Sequence, residues 1–154
     1  MAKAAISQQS IDVIEQFTTD VWNGRDYDVI SDLCTDDFVQ HGPLTGMELH
    51  GTDELMENIR QYHDAFSDLE SHLEFAISDE SGDYVCAYFT NTGTHDAELM
   101  GIPATDVDGK INAIGVYRFE DGLIAEAWIA ADLFGLFSQL GESPDMDTFM
   151  AGAR

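Results

Sequence analysis

Positive charge is scarce in this chain. Its 154 residues hold six lysines and arginines against thirty aspartates and glutamates, a formal charge of −24. Lysine occurs only as Lys3 and Lys110. So few cations cannot build the basic patch that a phosphate backbone requires, and nucleic acid is excluded as an expected partner. Cysteine is nearly absent too. Cys34 and Cys86 stand far apart and outside any C-x-x-C, which argues against a disulfide framework or a zinc knuckle. Two buried thiols in a reducing cytosol are expected. No apolar run is long enough to span a bilayer, and Met1-Ala2-Lys3-Ala4-Ala5-Ile6 lacks the apolar stretch of a secretory signal. The expectation is a soluble cytoplasmic protein with no membrane partner.

What the chain does have is acid and a core. The acids are scattered, as at Asp26, Asp36, Asp53, Asp79, Asp106 and Asp145, rather than gathered in a tail. A dispersed excess reads as a solvated shell that repels itself in dilute buffer. In molar salt the Debye length falls to about 3 Å and that repulsion fades. A high-salt cytosol, that of an extreme halophile, is therefore the expected setting. With 44% hydrophobic residues the chain can bury a real core, and one domain over 1–142 is the natural count. The tail, 143–154, is expected to be mobile.

Periodicity supplies the layout. Ile11, Ile14, Phe17 and Val21 recur at helical spacing and predict a helix over 10–22, ended by Asn23-Gly24 in a left-handed cap. A short helical piece over 27–33 and a brief strand over 38–41, stopped by Gly42-Pro43, follow. Thr52 is the expected N-cap of a third helix with the stripe Leu55, Ile59, Tyr62 and Phe66. From Leu69 the period becomes two. Leu69, Ser71, Leu73, Phe75 and Ile77 are expected on one face of a strand, and Val85, Ala87 and Phe89 on one face of the next. The stretch 96–110 reads as a loop or loose hairpin. Strands over 111–119 and 123–131 form a hairpin around Glu120-Asp121-Gly122, and a last helix carries Leu133, Leu136, Phe137 and Leu140 up to Gly141. This order implies an α+β fold, a cone-shaped curved mixed or antiparallel sheet wrapped on three N-terminal helices, with a short C-terminal helix.

Several runs carry a family resemblance. They are Thr92-Gly93-Thr94-His95, Glu98-Leu99-Met100-Gly101-Ile102-Pro103, Tyr117-Arg118-Phe119-Glu120-Asp121-Gly122 and Ile124-Ala125-Glu126-Ala127-Trp128. With Asp132-Leu133-Phe134-Gly135-Leu136 and Gln139-Leu140-Gly141, the chain resembles the SnoaL-like polyketide cyclase family over roughly 11–141. That family belongs to the nuclear transport factor 2-like superfamily, whose cone agrees with the layout above. The resemblance implies an intramolecular aldol condensation closing a ring in a polyketide ester, with no metal or organic cofactor. A carboxylate removes the proton between two carbonyls, which is already acidic, and later serves as an acid.

Asp132 is the carboxylate that the resemblance points to, since it follows Trp128 by four residues. It stands directly before Leu133 and reads equally as the N-cap of the last helix. A three-residue hairpin loop would set Val116 opposite Glu126 and Ile114 opposite Trp128. Asn112, Ile114, Val116 and Arg118 then share a face with Glu126, Trp128, Ala130 and Asp132. Arg118 is expected to pair with Glu126 and not with the distant Asp132. Ile114 and Val116 fall where the family carries polar groups, so His41 and His95 are the candidate imidazoles from other strands. His50 and His72 are expected to be exposed, and His63 lies beside the stripe residue Tyr62. No pair has metal-ligand spacing, so no metal site is expected. The expected substrate pocket comprises Trp22, Tyr62, Phe66, Met100, Asn112, Ile114, Val116 and Trp128, Met100 serving as a lid. A small apolar or carbonyl-containing ligand suits it.

The opposite, small-residue face of the hairpin, with Ala113, Gly115, Ala127 and Ala131, is the expected contact of a homodimer. An alternative function is a non-catalytic ligand carrier of the same fold, with Asp132 capping and turned away. An epoxide hydrolase ranks lower, because the strand 84–94 lacks the Arg-x-Asp that positions water. The charge argument yields a direct check. Circular dichroism should show folded signal in molar salt and its loss on dialysis into dilute buffer; full retention there would refute the high-salt reading.

Overall fold

The computed structural model describes residues 2–142, so the expected mobile tail lies outside the described residues. Its first helix, α1 (Ala2–Gln16), runs straight into a π-helical segment, Phe17–Asn23. Ile14 and Val21 on this path are buried. The Thr18 hydroxyl donates to the Ile14 carbonyl at 2.9 Å, the back-bonding that loosens a helical ladder. Gly24 ends the segment, but not in the left-handed conformation expected: its φ is −83°. Arg25 takes the positive φ instead, at 56°. Glycine is needed at 24 for space, since a Cβ there would lie 2.6 Å from the Asp20 carbonyl oxygen.

A 3₁₀ turn (Tyr27–Val29) leads into α2 (Ile30–Leu33), β1 (Cys34–His41) and β2 (Glu48–His50), and then α3 (Gly51–Ala65). The N-cap of α3 is His50 and not Thr52; the His50 N–H donates to Glu54 Oε2 at 2.7 Å, half of a capping box. Gly51, at φ 79°, makes the turn from strand to helix. The rest is β3 (Glu70–Ser78), β4 (Tyr84–Thr94), β5 (Asp108–Glu120), β6 (Leu123–Ala131) and α4 (Leu133–Leu140). Gly141 closes α4 at φ 72°, the left-handed C-cap expected of it.

The strands form one curved, unclosed sheet in the order β2-β1-β6-β5-β4-β3. All pairs are antiparallel except β1 with β6, so the sheet is mixed. The α+β class and the cone wrapped on helices are those read from the periodicity. β2 was not foreseen; three residues give too little alternation to detect.

Two register details change which side chains face inward. The β5–β6 turn is two residues, Asp121 and Gly122, with φ of 50° and 80°, the primed turn that matches strand twist. Together with a bulge after Arg118, it sets Arg118 opposite Glu126 and Val116 opposite Trp128. The ladder is therefore displaced by two residues from the expected one, and faces are preserved. In β3 a bulge between Leu73 and Phe75 turns the remainder over. Ser71 and Leu73 face the helices, but Phe75 and Ile77 point outward, 53% and 63% exposed. The expected single-face alternation fails there.

The small-residue face is the inner one. Ala87 and Ala127 are fully buried, and Ala113, Gly115 and Ala131 line the interior, so this face cannot be a dimer contact. Ile114, Val116 and Trp128 stand on the outer face, 43%, 38% and 38% exposed.

His63 ties the helical layer together. It is buried, not merely beside the stripe. Its Nε2–H donates to the Trp22 carbonyl at 2.8 Å, and Nδ1 accepts from the Tyr27 hydroxyl at 2.6 Å. Both bonds need a neutral ring. Burial holds its pKa below the ordinary 6.5, against the pull of the Trp22 carbonyl. The unfolded chain takes up a proton near 6.5 where the folded one resists, so this contribution is present above that pH and is lost as pH falls below it. Chemical denaturation should show stability declining from pH 6.5 towards 5.5, and His63→Gln should flatten that slope. An unchanged slope would remove His63 from the account.

Candidate active site

Between the π-helical segment, α3 and the inner sheet face lies a cavity of about 160 Å³. Its walls are mostly apolar, with Phe17, Trp22, Phe38, Phe66 and Phe89 around a floor of alanine and glycine. The floor explains the void: short side chains at 113, 115 and 131 leave space that the large residues at the edges hold open. A Cβ on Gly115 would meet the Tyr117 hydroxyl at 2.6 Å, so the bare glycine lets that ring lie across the floor.

Neutral polar groups enter this apolar space at a few points. Gln40 comes from β1, Asn58 and Tyr62 from α3, and Asn91 from β4. Burial pushes the Tyr62 hydroxyl up to about 12, so it remains a protonated donor at neutral pH. The three amides were missed in the sequence, although two leave a trace. Asn58 interrupts the stripe Leu55, Ile59 and Tyr62, and Asn91 continues the inward alternation Val85, Ala87 and Phe89. A polar residue on an apolar face is the detectable signal.

The expected site residues divide. Trp22, Tyr62 and Phe66 line the cavity, and Ile114 borders it and an outer groove. Met100 packs against the clusters containing Leu99, Phe66 and Ile102 without lining the cavity. Val116 and Trp128 line the outer groove instead. Asn112 is also on the outer face, where its Nδ2 donates to Thr90 Oγ1 at 3.0 Å. The pocket expected from Asn112, Val116 and Trp128 is thus placed on the wrong side of the sheet, because alternation groups residues by face but does not say which face is covered.

Asp132 is the N-cap of α4, its Oδ1 accepting from the Gly135 N–H at 2.9 Å. The residue is exposed, while its neighbours Ala131 and Leu133 line the cavity. The carboxyl group sits where a Cβ of residue 135 would be, 2.2 Å from Oδ2, so Gly135 is what admits this cap.

His41 lies at the end of β1, on the groove side. Its Nε2–H donates to Glu126 Oε2 at 2.6 Å, and Nδ1 is 3.4 Å from Glu48. The ring stacks on Trp128 with centroids 5.5 Å apart. Glu126 also accepts from Arg118 Nε at 3.2 Å, the pairing expected. The His41 contact, backed by Arg118, holds the Glu126 carboxyl below the usual range. His95 is wholly buried at the root of the 96–107 loop. The Thr105 N–H and hydroxyl both reach its Nδ1, at 3.3 and 3.0 Å, which places the ring proton on Nε2. Burial lowers its pKa, against the opposing fields of Asp96 and Asp106. His95 touches the lining residue Phe66 but does not line the cavity itself. Asp132, His41 and His95 are therefore not brought together.

Known proteins share this architecture. The family model described as SnoaL-like polyketide cyclase matches residues 12–140. The aklanonic acid methyl ester cyclase DauD of Streptomyces sp. (strain C5) is 29% identical over 133 residues, 86% of this chain and 81% of its own. DnrD of Streptomyces peucetius, also an aklanonic acid methyl ester cyclase, is 33% identical over 104 residues, 68% of each chain. Among solved structures, IdmH from Streptomyces antibioticus superposes with a TM-score of 0.75 at 25% identity, over 86% of this chain and 99% of that one. TsrD from Streptomyces laurentii gives 0.78 at 25% identity, over 88% and 97%. Sequence, topology and an interior hollow with neutral polar groups agree, and the chain belongs to the SnoaL-like polyketide cyclase family.

Proposed function

We propose that this chain is a cofactor-independent small-molecule cyclase, closing a ring by intramolecular aldol condensation in a polyketide-like ester. The observation that carries the reading is an apolar cavity entered by Gln40, Asn58, Tyr62 and Asn91. Such a lining desolvates a flat carbonyl-rich guest and still offers donors to its oxygens. Asp132 is the proposed base. It sits between two lining residues and is itself exposed, at the rim. A guest too large for about 160 Å³ would seat its apolar body inside and present the reacting dicarbonyl at that rim. The carboxylate takes the proton from the carbon between the carbonyls. The resulting enolate carbon bonds to a third carbonyl carbon of the same molecule, and the new alkoxide recovers the proton. His41 and His95 receive no chemical part, since His41 faces a carboxylate on each nitrogen and His95 lies behind Phe66.

One observation favours the carrier reading. No carboxylate or imidazole is among the lining residues, and Asp132 already serves as a helix cap. Asp132→Asn separates the two, because asparagine caps as well as aspartate and leaves α4 intact. On a 1,3-dicarbonyl ester, the variant should lose about 10²–10⁴-fold in turnover while ligand affinity holds. Equal turnover would end Asp132's role and favour the carrier.

The homodimer contact we place on the outer face of the sheet, where Phe75, Ile77, Ile114, Val116 and Trp128 are exposed together. Sedimentation in molar salt should give a dimer for the natural chain and a monomer for Val116→Glu. A monomeric natural chain overturns this.

A further inference from the structure

Three buried side-chain atoms lack a hydrogen-bond partner among the described residues: Thr35 Oγ1, His95 Nε2 and Asn91 Oδ1. Of the three residues, Asn91 is the one that lines the cavity. It sits on the inner face of β4, with Ser71 of β3 and Ile111 of β5 as its cross-strand neighbours. Ile111 has no donor to give. The Ser71 N–H and carbonyl are both taken by the Asn23 side chain, at 2.7 and 2.9 Å. The protein thus builds an acceptor into the wall of its own cavity and supplies nothing to meet it. Buried polar groups are satisfied almost everywhere in folded proteins, and an exception at a binding cavity calls for a partner from outside the chain.

We infer that Asn91 is the specificity-determining contact of this cavity, its Oδ1 accepting a hydrogen bond from a hydroxyl, phenolic or enolic O–H of the guest. This rests on the ligand-binding cavity proposed above and names the group that the ligand must carry. The rest of the wall cannot discriminate in this way, since apolar contacts select by size and shape. A guest with a methyl group at that point leaves the acceptor bare, and sites built to bond a hydroxyl reject such analogues strongly. In a 1,3-dicarbonyl guest only the enol tautomer has a proton on oxygen. The same contact therefore favours the tautomer whose carbon is nucleophilic.

A matched pair of single-ring probes tests this, because a cavity near 150 Å³ lined by apolar residues is known to take benzene. o-Cresol and o-xylene differ only by hydroxyl for methyl. Calorimetric titration of the full chain in molar salt should show o-cresol binding at least about tenfold tighter. Partition from water alone favours o-xylene, so the preference is diagnostic. Asn91→Leu should reverse it, with a melting temperature unchanged or raised because no protein contact is lost. Asn91→Val gives the same readout should leucine overfill the site. Equal affinities in the natural chain, or a preference that survives in the variant, overturn the inference and leave the cavity reading standing. A marked fall in melting temperature also overturns it, by revealing a partner within the protein. Binding of neither probe sinks the cavity reading and this inference together.

Discussion

The void exists because the middle of the sheet is too thin to fill the space beneath the helices. Ala113, Gly115 and Ala131 line the floor, and aromatic residues on α3, β1, β4 and the π-helical segment keep the helical layer from collapsing onto it. Interiors pack to near-crystal density, so a gap of this kind persists only when its borders are propped. The props are fixed in turn. His63 joins the carbonyl of Trp22 to the hydroxyl of Tyr27, and Asn23 grips both backbone polar groups of Ser71. Helix-to-helix and helix-to-sheet hydrogen bonds thus hold the cavity wall around Trp22.

Scarcity of cations makes each described one structural. Arg118 bridges Glu120 and Glu126, and Glu126 in turn holds His41. Arg60 lies over the Tyr27 ring at 4.8 Å, and an Arg25 nitrogen donates to the Ser67 carbonyl at 2.6 Å. These contacts lie at element junctions, where a single charge fixes two segments. The acid excess is left to face solvent, in keeping with the dispersed pattern in the sequence.

Much of the fold was legible in periodicity. The α3 stripe, the β4 alternation and the β5–β6 hairpin each announce their element, because a 3.6- or 2-residue repeat survives any detail of packing. What alternation could not convey was a bulge, and one surplus residue in β3 sent Phe75 and Ile77 outward. Nor could it say which face of β5 would meet helices. Ile114, Val116 and Trp128 look like core by composition, yet the inner positions carry alanine and glycine, since a cavity floor must be short. The site was less legible for the same reason. Large side chains suggest a pocket lining, whereas Asn58 and Asn91 are informative only once their neighbours are known to face inward.

The segment Phe17–Asn23 has a further consequence for how this interior can change over evolution. A π turn is a helix carrying one surplus residue. Deleting that residue would restore the tighter winding and rotate everything after it by about 100° relative to α1. Trp22 would swing off the cavity wall, and His63 would lose the carbonyl it holds. Chain length at this joint, not the chemistry of any side chain, is then a dial for the width of the hollow. Insertions and deletions there offer a route to new guests that leaves the sheet untouched.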